Sequence, residues 1–168
     1  MTSRITKILI AATFIDGILA SGNINRAFVD MPAWAQVGPI GWATFSRYAD
    51  LGPAAIILYP FEAFAGMILS VAAAILFYRA RVKPRAAALP IYTGALLTVA
   101  GLVVTAKAAP IMLSVRHLGN DPVALEQAFR GFQFWGGVRG VFQVLAYFAN
   151  FWALVAIFRT GAMRASDG

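Results

Sequence analysis

The fold is indicated most clearly by residues 53–78, which read PAAIILYPFEAFAGMILSVAAAILFY and contain one charged side chain, Glu62. A helix needs about 20 mostly apolar residues to cross the hydrocarbon core of a bilayer. Three further stretches meet this requirement, namely residues 5–22, 88–115 and 132–158. The sequence therefore predicts an all-α fold, in which an antiparallel four-helix transmembrane bundle forms a single domain over residues 1–168.

The composition agrees with an integral membrane protein. Hydrophobic residues make up 60% of the chain and charged residues 12%, whereas a soluble domain has about 45–50% and about 25%. The chain has no cysteine and one histidine, which excludes thiolate metal sites, iron–sulfur clusters and a bis-histidine haem site within one chain. We expect no metal, no cofactor and, despite the net charge of +7, no nucleic-acid partner.

The basic residues predict the orientation of the helices. Eight of them, with one acidic residue, lie at the N-terminus, between the second and third apolar stretches, and at the C-terminus. The other two loops hold four basic and four acidic residues. Because positively charged loops stay in the cytoplasm, we expect a multi-pass protein of the bacterial inner membrane with both termini cytoplasmic. The basic side would also attract anionic lipids of the bilayer.

Both predicted outer loops contain amphipathic segments. In the first loop, Trp42, Phe45 and Ala49 fall on one helical face, which suits a segment lying in the membrane interface. In the second loop, Asp121 followed by Pro122 predicts the start of a helix, since a capping side chain before proline is typical of that position. We expect these loops either to cover the outer end of the bundle or to anchor it in the interface.

Each predicted span contains one charged side chain near its middle, and these are Asp16, Glu62, Lys107 and Arg139. Counted from the outer end of each span at 1.5 Å per residue, all four lie roughly 9–14 Å below the outer boundary. Such a charge costs about 2.5–3.5 kcal/mol on insertion scales and needs a partner or a wet cavity. We predict one layer in which two acids and two bases pair, either as a functional site or as a network that only fixes helix register.

Prolines and a polar stripe favour a ligand site near this layer. Pro60 and Pro110 each remove a backbone hydrogen bond and tend to kink a helix. On the last helix, Trp135, Arg139 and Gln143 follow at intervals of one turn and therefore share a face.

Two glycines on the last helix suggest a contact between helices. Gly136 and Gly140 form a G-x-x-x-G pair, a pattern that permits close backbone approach in membranes. The pattern is compatible with packing inside one chain and with homo-oligomer formation.

Several segments together resemble a known family. They are Asn25-Arg26, Pro32-Ala33-Trp34, residues 42–52, Tyr59-Pro60-Phe61-Glu62-Ala63 and Phe134-Trp135-Gly136-Gly137-Val138-Arg139. The general layout of the whole chain is similar to the small four-helix bacterial membrane proteins of the anthrone-oxygenase-like family, a domain of unknown function in most members. Some relatives are linked to cofactor-independent oxygenation of polyketide anthrones, so the resemblance implies a monooxygenase. The family often has His or Asn between the Trp and Arg of the last helix, where this chain has glycine and valine.

We therefore predict a membrane-embedded enzyme that acts on a lipophilic small molecule in an outward-opening pocket. Glu62 or Asp16 would remove an acidic proton as general base. Arg139 and Lys107 would stabilise the resulting enolate or phenolate, which would react with molecular oxygen. The predicted substrate-binding residues are Trp135, Gln143, Tyr59 and Asn25.

Two other classes of function fit the same sequence. Charged residues in the middle of a membrane also mark ion paths, so a proton- or ion-coupled transporter or a subunit of one is an alternative. A structural or assembly subunit with a buried charge network is another. A continuous water path would favour transport, a closed pocket the enzyme, and a dry, fully paired network the scaffold.

Overall fold

The computed structural model describes residues 2–80 and 84–166, with the side chains of residues 4–80 and 84–160. Every regular element in these residues is helical, which confirms the predicted all-α class. The α-helices are α1 (Thr2–Asn25), α2 (Met31–Tyr48), α3 (Ala55–Arg79), α4 (Ala88–Ser114) and α5 (Pro122–Ser166). A π-helical turn (Arg26–Asp30) joins α1 to α2, and a 3-10 turn (Arg85–Ala87) precedes α4.

Four helical segments of the described chain are long and apolar enough to cross a membrane, as predicted. They are Arg4–Tyr48, Ala55–Arg79, Arg85–Ser114 and Pro122–Thr160. The helix start predicted at Asp121 is also confirmed, because Asp121 Oδ1 accepts hydrogen bonds from the backbone N–H groups of Val123 and Ala124 at 2.9 and 3.3 Å. α5 therefore begins ten residues before the predicted span at 132 and continues through it.

The segment predicted as the first outer loop is mostly helical, which corrects the sequence interpretation. α1 runs three residues past Gly22, and the helical path continues through the π-helical turn into α2. α2 consists of two helical parts that meet at a kink at Gly38, whose φ is 77°, and Pro39 begins the second part, since glycine tolerates positive φ and proline suits a new helical start. The buried residues of α2 are Trp34, Trp42, Ala43 and Ser46, whereas Phe45 is exposed; the placement of this segment in the membrane interface stays a prediction.

The long helices pack in a ring. α1 and α4 each contact both α3 and α5, and α2 packs against α5. One hydrophobic cluster joins the first turns of α1 and α4 to the last turns of α3 and α5, and it includes Leu9, Phe77, Ile91 and Ile157. We call this end of the molecule the inner end. Burial of these side chains removes apolar surface from solvent and fixes the helix ends against one another.

A second hydrophobic cluster lies at the opposite, outer end, where α2 covers the start of α5. The fully buried Trp42 packs against Phe129 and Phe132, with ring centroids 5.2 and 6.0 Å apart. Two arginines connect α2 to the loop after α4. Arg47 Nε donates to the Val115 carbonyl at 3.1 Å, and Arg116 Nη2 donates to the Leu51 carbonyl at 2.6 Å.

Part of the predicted charge asymmetry falls outside the described residues. Arg81, Lys83 and Asp167 are not among them, and neither is the side chain of Arg164. The cytoplasmic orientation of both termini therefore stays a prediction.

Candidate functional site

A cavity of about 850 Å³ lies between the two hydrophobic clusters, near the outer end. Its walls come from the last turns of α1, the π-helical turn, the first turns of α3, the last turns of α4 and the middle of α5. Most of the lining surface is apolar, and ten of the 26 described residues that line the cavity are polar or charged. A mostly apolar cleft with a few converging polar groups is the usual form of a small-molecule site.

Arg139 lines this cavity and has no hydrogen-bond or ion-pair partner among the described residues. Its Nε atom is fully buried and unsatisfied. The nearest charges that act on it belong to Arg26 and Asp50, which interact with each other. A buried guanidinium nitrogen without a partner costs free energy because it has lost its water without replacement. The position is therefore suited to a ligand that supplies an acceptor.

Glu62 lines the same cavity from α3 and is 7% exposed. No described residue donates a hydrogen bond to its carboxyl group, and no cation of the described chain lies within 4.0 Å of it. Arg139 and Glu62 thus share one cavity without forming an ion pair. A carboxyl group and a guanidinium that are held apart leave room for a molecule between them.

Arg26 is another charged residue in the cavity wall, and in contrast to Arg139 it has several partners. It pairs with Asp50 and lies 5.7–5.8 Å from the ring centroids of Trp34, Tyr59 and Phe132. Cation–π contacts of this kind hold a guanidinium in place. Sequence reasoning placed Arg26 and Asp50 in an outer loop; their presence in the family-like segments was the only signal that they belong to a site.

Two proline-containing turns lie beside the cavity. Pro60 and Pro110 lie inside α3 and α4, and each lacks the N–H group that would bond to the carbonyl four residues earlier. Those carbonyls belong to Ile56 and Ala106, which both line the cavity. The predicted link between the prolines and the site is therefore consistent with where the helices place them.

A short polar bridge connects α1 to α5 at the wall of the cavity. Asn23 Nδ2 donates to Gln143 Oε1 at 2.7 Å and to the Leu19 carbonyl at 2.7 Å. Asn23 also lies against Gly140, where an added Cβ would come within 3.1 Å of Asn23 Oδ1. Asn23 was not among the predicted site residues, because an Asn near a helix end is an ordinary feature of a sequence.

Asp16 is not part of the cavity, contrary to the predicted layer. It is 3% exposed, and its Oδ2 accepts hydrogen bonds from Asn150 Nδ2 at 2.7 Å and from Ser70 Oγ at 3.5 Å. Asn150 Nδ2 also donates to Ser70 Oγ at 2.8 Å. The depth of Asp16 was misjudged because α1 does not end at Gly22. Asp16 lies seven residues before Asn23, which is about 10 Å along the helix toward the inner end.

Lys107 is also not in the cavity, which corrects the second half of the predicted layer. Its side chain is exposed on the outside of α4, while Ala108 beside it is fully buried. One residue along an α-helix corresponds to a rotation of about 100°. Counting residues along a span predicts how deep a side chain lies in the membrane but not which way it points. This is why the predicted layer of four charges is wrong.

The predicted substrate-binding residues divide into two groups. Gln143, Tyr59 and Asn25 line the cavity. Tyr59 is 44% exposed, and Asn25 is exposed and donates to Asp30 at 3.3 Å. Trp135 does not line the cavity; it is partly buried and makes an edge contact with Phe134, with ring centroids 5.1 Å apart. The one-turn spacing from Trp135 to Arg139 did not place both side chains on the cavity.

The glycine pair on α5 is buried within the chain. Gly140 faces Asn23 of α1, and the nearest atoms to a Cβ at Gly136 belong to Phe132 of the same helix. Close approach at Gly140 therefore takes place inside one chain, and homo-oligomer formation through this pair stays a prediction. Among the residues that the structure describes, there is no group of three or more His, Asp or Glu side chains suited to a metal ion.

Comparison of the chain with protein-family models, with curated proteins and with solved structures found no match. The resemblance to the anthrone-oxygenase-like family therefore stays a prediction from the quoted segments.

Proposed function

We propose that this chain is an antiparallel four-helix protein of the bacterial inner membrane, with its cavity in the outer half of the bilayer. The hydrophobic cluster that combines helix starts with helix ends supports the alternation of direction. The four apolar helical segments and the basic residues near the inner end support insertion with both termini in the cytoplasm.

Labelling of introduced cysteines tests the orientation, since the chain has no native cysteine. Lys83→Cys is expected to react only with a membrane-permeant reagent in intact cells. Asn120→Cys, in the loop at the outer end, is expected to react with an impermeant reagent as well. Reaction of the first variant alone with the impermeant reagent would overturn the orientation.

We further propose that the chain is an enzyme that removes a proton from a lipophilic small molecule. The observation that carries this proposal is the presence of an unpaired carboxyl group, Glu62, and an unpaired guanidinium, Arg139, in one mostly apolar cavity. If the two side chains served only to stabilise the fold as an ion pair, we would expect them to be in direct contact. A base and a hydrogen-bond donor that are held apart suit a substrate that gives its proton to Glu62, while Arg139 stabilises the negative charge that develops on it.

The chemistry follows from these two positions. Glu62 takes a proton from a carbon next to a carbonyl or from a phenol, as a general base. The electron pair left behind moves to the substrate oxygen, and Arg139 donates hydrogen bonds to the resulting enolate or phenolate. The low-polarity wall strengthens this interaction because little water competes for the charge.

The resemblance implies a further step with molecular oxygen. In this step the deprotonated methylene carbon of an anthrone gives electrons to dioxygen, and a carbon–oxygen bond forms. Glu62 returns its proton to the resulting peroxide anion, and loss of water from the hydroperoxide then leaves a carbonyl group at that carbon. Dioxygen is the oxidant, so one molecule of it is consumed and one molecule of water released for each anthraquinone formed.

Conversion of anthrone by the purified protein in nanodiscs, with oxygen uptake recorded, tests the enzyme proposal. Glu62→Gln keeps the shape of the side chain but removes the base, and we expect turnover to fall by about 10²–10⁴-fold. Glu126→Gln is the matched control, because Glu126 pairs with Arg130 at the surface, away from the cavity. Equal turnover of Glu62→Gln and wild type, above the rate in empty nanodiscs, would exclude Glu62 as the base.

Proton-coupled transport is the second candidate, and one observation favours it. Polar side chains repeat two turns further inward, from Asn23 to Asp16 on α1 and from Gln143 to Asn150 on α5. Between the two levels, however, the fully buried Ala146 and the close approach of Asp16 to Gly66 leave little space. Uptake of an acidic lipophilic dye into proteoliposomes, dependent on a pH gradient and on Asp16, would favour the transporter over the enzyme.

A further inference from the structure

The amide of Asn23 has a fixed orientation. One of its terminal atoms lies 2.7 Å from the Leu19 carbonyl and 2.7 Å from the Gln143 side chain. A backbone carbonyl only accepts hydrogen bonds, so this atom of Asn23 is the nitrogen. The Gln143 atom that faces it is therefore the oxygen, which is the assignment that the hydrogen-bond network requires.

The orientation of Gln143 follows from that of Asn23. With Oε1 occupied by Asn23 on α1, the two N–H groups of Nε2 point in another direction, and none of the described residues accepts a hydrogen bond from them. Gln143 lines the cavity and is 9% exposed, with its stem against Gly101 of α4. Nε2 is not among the fully buried atoms that lack a partner, so its N–H groups are accessible from the cavity and available to a ligand.

Arg139 stands one turn before Gln143 on α5. Side chains four residues apart in a helix are neighbours on one face, and both side chains line the cavity. α5 therefore presents two adjacent hydrogen-bond donors that lack partners, a guanidinium and a primary amide. Glu62, on α3, is an acceptor when ionised and supplies the complementary group.

We infer that Arg139 and Gln143 together donate to one ligand oxygen that only accepts hydrogen bonds, and that Asn23 is the positioning residue that fixes this polarity. The inference rests on the proposed function and narrows its substrate class to lipophilic ketones and their enolates, or to phenolates. Two donors aimed at one oxygen stabilise negative charge on it better than one donor does. A ligand that places an amine or another donor at this position is rejected, because the donors of Arg139, of Gln143 and of the ligand itself all remain without an acceptor.

Fluorenone is a suitable probe, because it is planar, lipophilic and has one carbonyl group and no acidic proton. Fluorene, which lacks only the oxygen, is the matched hydrocarbon. Binding of each is measured to the full chain in nanodiscs, and the infrared carbonyl stretch of bound fluorenone, labelled with heavy carbon at the carbonyl, is recorded. Hydrogen bonds to the oxygen lower the wavenumber of this stretch, so the reading reports on the donors directly.

Two variants remove the second donor in different ways. Asn23→Asp replaces the donor to Gln143 with an acceptor, so the Gln143 amide turns its N–H groups toward residue 23 and its oxygen toward the cavity. Gln143→Met keeps the length of the side chain without a donor and without a new charge. For both variants we expect about tenfold weaker binding of fluorenone, equal to about 1.4 kcal/mol, a carbonyl stretch at higher wavenumber and unchanged binding of fluorene.

The controls use the same substitutions at surface positions, Asn120→Asp in the outer loop and Gln133→Met on the exposed side of α5. If Asn23→Asp does not fold, Gln143→Met alone decides the result. Folded variants that bind fluorenone with unchanged affinity and unchanged stretch would overturn this inference and leave the proposed function standing. Wild-type protein that binds fluorenone no better than fluorene would overturn both.

Discussion

The cavity and the Asp16 network are two buried polar regions about two helical turns apart, and they differ in how far their polar groups find partners within the protein. In the network, Asp16, Ser70 and Asn150 bond to one another through Asp16 Oδ2, Ser70 Oγ and Asn150 Nδ2, although the buried Asn150 Oδ1 has no partner among the described residues, and glycine backbones close around them. In the cavity, Glu62 and Arg139 have space beside them and no partner in the described chain. Groups that satisfy each other stabilise a fold, whereas buried groups that remain unsatisfied are tolerated where a ligand completes them.

Glycine positions show the same difference. A Cβ added to Gly66 would lie 2.4 Å from Asp16 Oδ1, and one added to Gly94 would lie 2.3 Å from Asn150 Oδ1. Beside the cavity, Gly22 has no atom within 4 Å of such a Cβ. The helices therefore approach closely around the network, whereas beside the cavity they are close at Gly140 and open at Gly22. We interpret the network as the structural centre of the bundle and the cavity as its functional part.

The largest expected effect on stability comes from opening the network. Asn150→Ala removes both hydrogen bonds that its amide donates and leaves the buried Asp16 carboxyl group with only Ser70. We expect the free energy of unfolding to fall by about 3–5 kcal/mol, from the lost hydrogen bonds and the space left behind. Denaturation in detergent measures it, with Gln133→Ala on the exposed side of α5 as control. A loss below about 1 kcal/mol would mean that the network does not stabilise the bundle.

A smaller loss of stability is expected when a methyl group is added within the network. Gly94→Ala places a methyl group where Asn150 Oδ1 lies, and we expect a loss of about 1–3 kcal/mol because the polar triad must shift. Gly137→Ala is the control, since nothing lies within 4 Å of its added Cβ. Alanine there is expected to stabilise the helix by about 0.5–1 kcal/mol. Equal thermal stability of the two variants would contradict the close packing around the network.

The helices could be predicted from the sequence because hydropathy over about 20 residues reports membrane-spanning length without any tertiary information. The start of α5 could also be predicted, because Asp121 and Pro122 act on their own helix. The continuation of α1 into α2 could not. The Gly38-Pro39 pair does interrupt α2, and Trp42 beyond it packs on Phe129 and Phe132 of α5.

The candidate site was predicted in part, for a related reason. Glu62 and Arg139 were identified because a charge in an apolar span is informative by itself. Lys107 and Asp16 were wrongly joined to them, since the sequence shows neither the rotation of α4 nor the true end of α1. Asn23 was missed, because its importance depends on a partner 120 positions away on α5.

The smallest effect is expected at Lys107, which the structure separates from both polar regions. Lys107→Met removes an exposed charge on the outside of α4, and we expect stability to change by no more than about 0.5 kcal/mol. Turnover of anthrone is expected to stay within about twofold of wild type. A large loss of turnover with unchanged folding would return Lys107 to the site and make the cavity larger than the described contacts indicate.

Thermal unfolding of Arg139→Met in nanodiscs, with and without fluorenone, tests the difference between the two regions most directly. If Arg139 is an unsatisfied donor kept for a ligand, its removal relieves a buried unpaired charge. The variant is then expected to melt at or above the wild-type temperature. Its free energy of unfolding exceeds that of wild type by up to about 1–3 kcal/mol. Fluorenone at 100 times its dissociation constant for wild type stabilises wild type by about 2.7 kcal/mol and stabilises the variant by less. A variant that melts well below wild type, while fluorenone shifts neither protein, would show that Arg139 is structural and that the cavity is not a ligand site.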